Sequence, residues 1–87
     1  MTDSGKKIRV ERTQLGVRME KRLVKVLKAM AELHDMSLGD LLEGIVLHAM
    51  EGKVPFGNES IERIAQLKEV YGLDYDSSAS HQFTEEE

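Results

Sequence analysis

The sequence predicts a mainly α-helical domain that pairs with a second copy of itself through a single β-strand. Residues 13–19 alternate apolar and polar side chains, as a strand with one buried face does, whereas residues 20–34 and 38–51 repeat apolar residues at helical spacing. No other segment has strand character, and a lone strand leaves its backbone hydrogen-bonding groups unpaired. The same strand from a second chain would pair with them, so we expect an intertwined homodimer.

The chain is short and has no cysteine. With 87 residues it can bury only a marginal core, and oligomerisation is a common remedy. The absence of cysteine excludes disulfides and thiolate metal sites and favours a reducing compartment. No apolar run approaches the roughly 20 residues of a membrane span, and residues 1–7 lack the apolar core of a secretory signal. We therefore expect a cytoplasmic protein with no membrane contact.

The charges are distributed unevenly. Residues 1–28 contain nine of the twelve Lys and Arg residues and only three acids, whereas residues 29–87 contain three basic and thirteen acidic residues. A basic end is typical of a polyanion-binding surface, and the acidic end suggests a different partner.

The basic end divides into an arm and a strand. Residues 1–12 are polar and basic and predict a flexible arm. In the strand, alternation places one set of side chains on a buried face and the other on an exposed face. The buried face comprises Leu15, Val17 and Met19, and the exposed face comprises Gln14, Gly16 and Arg18.

Two helices follow the strand. Ser37 and Asp40 form a capping-box pattern at the start of the second helix, which is apolar around most of its circumference. A chain this short cannot cover such a helix, so a partner copy is expected to do so. The predicted dimer core comprises Leu15, Val17, Met19, Leu27, Leu41, Leu42 and Ile45.

The remainder of the chain is predicted to contain a third helix and a tail. Residues 53–72 read as a linker, containing Pro55, followed by a helix over residues 59–71 that Gly72 ends. Residues 73–87 are acidic and rich in serine, a composition that predicts disorder.

The strand, the two helices and the Ser-headed turn between them resemble the ribbon-helix-helix family, the Arc and MetJ type of DNA-binding dimer. The resemblance covers residues 13–50 and rests on Val17-Arg18-Met19 at the strand end and on Ser37-Leu38-Gly39-Asp40-Leu41-Leu42 at the start of the second helix. It implies that two strands pair antiparallel into a ribbon that enters the major groove. Residues 13–52 would then form the DNA-binding and dimerisation domain.

The resemblance also implies which residues contact DNA. Gln14, Gly16 and Arg18 match the three groove-facing strand positions, and Arg and Gln can make bidentate contacts to guanine and adenine. The free N–H groups at the start of the second helix suit a phosphate. The expected phosphate contacts are Lys6, Lys7, Arg9 and Arg12 from the arm, with Ser37, Leu38 and Gly39 from the helix.

We therefore expect a sequence-specific transcriptional regulator, acting as a repressor, with no enzymatic activity, cofactor or metal site. His34, His48 and His81 lack metal-ligand spacing. Two alternatives remain. In an antitoxin the same dimer binds DNA while a segment within residues 53–87 folds on a toxin, and an adjacent toxin gene would identify it. A dimerisation module without DNA function is favoured by Gly16, which offers no side chain to a base, and by the net acidic charge.

Overall fold

The structure, a computed structural model, describes residues 7–86 and is built from three α-helices. Helix α1 spans Lys21–Leu33, α2 spans Leu38–Met50 and α3 spans Asn58–Tyr71, and a short 3₁₀ helix follows at Ser77–Ala79. The central helix is α1, because it packs against both α2 and α3. Residues 7–20 precede it and have no regular secondary structure.

The prediction of a ribbon-helix-helix fold is wrong, because residues 7–86 contain no strand. Residues 13–19 have no regular secondary structure, and their backbone groups form no hydrogen bonds to other described backbone groups. One extended segment cannot make a sheet alone, and the helices offer no edge with which it could pair. The predicted intertwined homodimer required a two-stranded ribbon between chains. Without a strand, the prediction of that dimer is wrong as well.

Side chains cap the first two helices. The Glu20 carboxylate accepts hydrogen bonds from the backbone amides of Arg22 and Leu23, both at 3.0 Å. The Ser37 hydroxyl accepts one from the Asp40 amide, also at 3.0 Å. These amides lie in the first turn, where no intrahelical acceptor exists, so the caps fix where α1 and α2 begin. The prediction of Ser37 as an N-cap is confirmed.

A small core lies between the three helices and includes Leu73, the residue that follows Gly72. Three of its five buried side chains come from α1, and Met30, at 1% exposure, is the most completely enclosed. The buried set is Val26, Met30, Ala31, Leu41 and Leu73. Half-buried side chains surround it, namely Leu23, Leu27, Ile45, Phe56, Ile64, Leu67, Tyr71 and Tyr75. Within residues 7–86, no helix combines the length and apolar character that crossing a membrane requires.

The segment after α3, predicted from its composition to be a disordered tail, makes several contacts with the helices. Gly72 ends α3 in the left-handed conformation, with φ 69°, and the next amide, that of Leu73, donates to the Lys68 carbonyl at 2.8 Å. This Schellman-type turn directs Leu73 into the core. The rings of Tyr75 and Phe83 then meet edge to face with their centroids 4.9 Å apart. Composition does not reveal these contacts, because they depend on a few apolar residues that reach a surface provided by α1 and α3.

Candidate nucleic-acid interface

The basic extended segment, defined here as residues 7–19, is the principal candidate site. Every residue in it is exposed, including the basic residues Lys7, Arg9, Arg12 and Arg18. Lys6, also predicted to contact phosphate, lies outside the described residues. Since the segment has no regular secondary structure and makes few contacts with the helices, its cations are accessible to a large polyanion.

The three predicted base-contacting residues alternate with apolar residues along this segment. Gln14, Gly16 and Arg18 are exposed, as the sequence predicts for residues that face a ligand. Their neighbours Leu15, Val17 and Met19 are also exposed, by 76%, 65% and 42%, and so have no core to enter within the chain. A Cβ built on Gly16 would meet no atom within 4 Å, so the middle of the segment is open on that side.

Two of the basic side chains already have carboxylate partners. Arg12 makes a bidentate contact with Glu43 of α2, with Nε and Nη2 each 2.8 Å from a carboxylate oxygen. The hydrogen bond from Arg12 lowers the pKa of Glu43, and the same bond raises the pKa of Arg12. Arg18 forms an ion pair with Glu85 near the end of the described chain. Any anionic ligand of Arg12 or Arg18 would compete with these carboxylates.

The pair between Arg12 and Glu43 brings the basic extended segment alongside the first turns of α2. Asp40, in the first turn, is close enough for its charge to contribute to the raised pKa of Arg12. At this helix start, the amides of Leu38 and Gly39 have no hydrogen-bond acceptor among the described residues, and the Ser37 hydroxyl is bonded to the Asp40 amide. The structure therefore places one predicted phosphate contact of the segment, Arg12, near the start of α2, with Asp40 and Glu43 beside it.

The predicted dimer-core residues divide into two groups. Leu41 is buried and Leu27 and Ile45 are half-buried within the chain's own core, so they contribute mainly to intrachain packing. Leu42 is half-buried, whereas Leu15, Val17 and Met19 remain exposed. The apolar face of α2, defined here as Val46, Leu47 and Met50, is exposed by 51%, 62% and 78%. The sequence predicts that α2 is apolar around most of its circumference, which includes this face. The predicted dimer core, however, does not contain Val46, Leu47 or Met50.

Arg22 has a structural role that sequence reasoning did not assign. Its Nη1 donates to the Gly72 carbonyl at 2.6 Å, and its Nε contacts the Glu20 carboxylate at 3.2 Å. Its guanidinium also lies 5.0 Å from the centre of the Tyr75 ring. Arg22 therefore joins the start of α1 to the segment after α3 and is not a free cation for a ligand. Gly72 lies 50 residues from Arg22 and Tyr75 is farther still, so no local signal identifies these two partners.

The described residues contain no group of three or more His, Asp and Glu side chains arranged to hold a metal ion. Of the three histidines, His48 is placed by a bond of 2.7 Å between its Nδ1 and the Gly44 carbonyl one turn earlier in α2. Searches of protein-family models, of curated proteins and of solved structures find no match to this chain. Evidence for function therefore comes from the residues themselves.

Proposed function

We propose that this chain is a DNA-binding transcriptional regulator that acts as a homodimer. The observation that supports this most strongly is the basic extended segment, in which Lys7, Arg9, Arg12 and Arg18 are all exposed. Cations of this kind bind phosphates and release the counterions condensed on DNA, which gives an affinity that depends on salt. Gln14 and Arg18 add side chains that can contact base edges.

The apolar face of α2 supports the homodimer. Val46, Leu47 and Met50 form an exposed apolar surface on α2, whose one helical neighbour within residues 7–86 is α1. Exposed apolar surface of this kind is typical of an interface, and a chain of 87 residues gains stability from burying it. A second copy, with its own α2, offers a surface of the same chemistry, and two-fold pairing of identical patches is the commonest form of oligomer.

DNA binding is tested first by selecting bound sequences from random DNA with the purified chain. On the selected site, Arg18→Ala should weaken binding by about 1–3 kcal/mol and relax the preference at one base pair. Lys7→Ala should weaken binding to selected and scrambled duplexes equally and reduce the salt slope by about one. Equal losses on both duplexes for Arg18→Ala would assign that residue to phosphate contact instead.

The homodimer is tested by the concentration dependence of unfolding. If two copies fold together, the midpoint of thermal unfolding should rise with protein concentration. Leu47→Glu should abolish this dependence, because it places a charge in the apolar face of α2. Glu51→Gln, which changes a charge just beyond the same helix, serves as the control. Monomer mass with a constant midpoint over a hundredfold dilution would contradict the homodimer.

A dimerisation module without DNA function is the second candidate. It is favoured by the carboxylate partners of Arg12 and Arg18, which neutralise two of the four basic residues in the basic extended segment. This candidate predicts a concentration-dependent midpoint but no enrichment of any sequence in the selection and no salt-dependent binding to duplex DNA.

A further inference from the structure

The last described residues of the chain lie against the basic extended segment. The guanidinium of Arg18 forms an ion pair with the carboxylate of Glu85, and both side chains are mostly exposed, by 83% and 60%. Glu86 follows directly and is exposed as well. Arg18 is the cation expected to contact a base edge, so an acidic residue of the same chain occupies the group that DNA would bind.

An aromatic contact two residues earlier positions this acidic end. The Phe83 ring packs edge to face on Tyr75, which is half-buried beside the core and lies under the guanidinium of Arg22. Tyr75 follows closely after Leu73, the buried residue that ends the turn at Gly72. The path from the core to Glu85 therefore has contacts at Leu73, Tyr75 and Phe83, and these bring Glu85 to Arg18.

We propose that residues 83–86 compete with DNA for Arg18 within the same molecule, an inference that rests on the proposed DNA-binding function. A carboxylate and a phosphate both accept the paired N–H donors of a guanidinium, so one can replace the other. The intramolecular attachment gives the glutamates a high effective concentration at Arg18. Because the ion pair is exposed, it is weak enough for DNA to displace.

The expected effect is modest and depends on salt. Removing the competing carboxylates should raise the affinity for DNA about two- to fivefold at low salt, the range that exposed ion pairs support. The gain should shrink as added salt screens the contact between Arg18 and Glu85.

The test compares the full chain with Glu85→Gln/Glu86→Gln for binding to a fluorescently labelled mixed-sequence DNA duplex. The matched control is Glu59→Gln/Glu62→Gln, which removes the same charge from exposed residues of α3 that belong to none of the ion pairs described. The proposal expects the larger gain for the tail variant. An equal gain in the control would overturn it, since net charge alone would then account for the effect.

Phe83→Ala tests whether position matters apart from charge. This variant keeps every glutamate but removes the contact with Tyr75, so it should also raise DNA affinity. If Glu85→Gln/Glu86→Gln raises the affinity for DNA and Phe83→Ala does not, the proposal that Phe83 positions the competing acidic end is overturned.

A readout without DNA separates failure of this inference from failure of the proposed function. The NMR signal of the Arg18 Nε–H group should shift in Glu85→Gln and remain in place in Glu59→Gln. If no variant binds DNA, the proposed function fails, and a shifted Arg18 signal would still establish the contact. If the full chain binds DNA but the signal does not move, the contact is absent and the competition is overturned while DNA binding stands.

Discussion

Two non-helical segments flank the three helices, and they differ in how their apolar residues are used. Residues 7–20 carry five large aliphatic side chains, all exposed, whereas residues 72–86 carry only Leu73 and the rings of Tyr75 and Phe83. Even so, Leu73 is 8% exposed and belongs to the core. Apolar content therefore does not decide which segment becomes ordered, and the geometry of the connection to the nearest helix does.

The two connections show why. The turn at Gly72 reverses the chain within one residue, and the bond from the Leu73 amide to the Lys68 carbonyl directs Leu73 towards α1 and α3. The earlier segment enters α1 at Glu20, with φ −57° and ψ 135°, and all of residues 7–19 remain exposed. Apart from this cap, Arg12 and Glu43 form its main contact with the helices.

Removing the segment after α3 should have the largest effect on stability. A chain that ends at Gly72 loses both Leu73 and Tyr75 and should lose at least about 2 kcal/mol of unfolding free energy. A chain that ends at Gln82 keeps both residues and should lose much less. Denaturant unfolding at one fixed protein concentration measures the difference. Equal stability of the two shortened chains would show that Leu73 and Tyr75 do not anchor the segment.

Single substitutions sharpen the same comparison. Leu73→Ala creates a cavity in the core and should cost about 2–5 kcal/mol. Ile8→Ala removes an aliphatic side chain that is 85% exposed in the other segment and should change the stability by less than about 0.5 kcal/mol. Similar losses for the two variants, measured in denaturant, would mean that both segments pack on the helices to the same extent.

The helices could be predicted from sequence because their signals are local. Apolar spacing placed them at residues 20–34, 38–51 and 59–71, and the structure has Lys21–Leu33, Leu38–Met50 and Asn58–Tyr71. Ser37 at the start of α2 and Gly72 after α3 act within a single turn of backbone, so their types alone indicate the boundaries.

The predicted ribbon is wrong, and the packing of the residues after Gly72 was not predicted, for a shared reason. Alternation in residues 13–19 describes side chains and supplies no hydrogen-bond partner, and acidic composition in residues 73–87 does not reveal the position of Leu73. For the same reason, the sequence does not identify the partners of the basic residues in the candidate site. The sequence identifies Arg12 and Arg18 as exposed cations, but Glu43 lies 31 residues from Arg12, and Glu85 is still farther from Arg18. Such long-range pairs follow from the fold and not from any local pattern.

The contact between Tyr75 and Phe83 should have a smaller effect than burial of Leu73. An edge-to-face aromatic pair contributes about 0.5–1.5 kcal/mol beyond the area that it buries. A double-mutant cycle of Tyr75→Leu and Phe83→Leu should give a coupling energy in this range. Strictly additive losses would show that the rings do not interact in solution and that Phe83 does not hold the end of the chain.

The smallest expected effect concerns Glu20, the residue at which the exposed segment becomes α1. Burial raises the pKa of its carboxyl, but hydrogen bonds from the Leu23 amide and from Arg22 outweigh burial, so the pKa lies below the ordinary value of 4.5. A carboxylate with a lowered pKa stabilises the folded state above that ordinary value, and this stabilisation is lost as the pH falls below it. Glu20→Gln should therefore lose less stability on acidification than the unmodified chain. Part of the loss should remain in this variant, because the pKa values of Glu43 and Asp76 are also lowered. Glu32→Gln, an exposed change on the same helix, should follow the unmodified profile. Thermal midpoints recorded between neutral and acidic pH compare the three chains. Parallel profiles for Glu20→Gln and the unmodified chain would mean that Glu20 does not cap α1 in solution, and that the extended segment and the helix meet without a fixed junction.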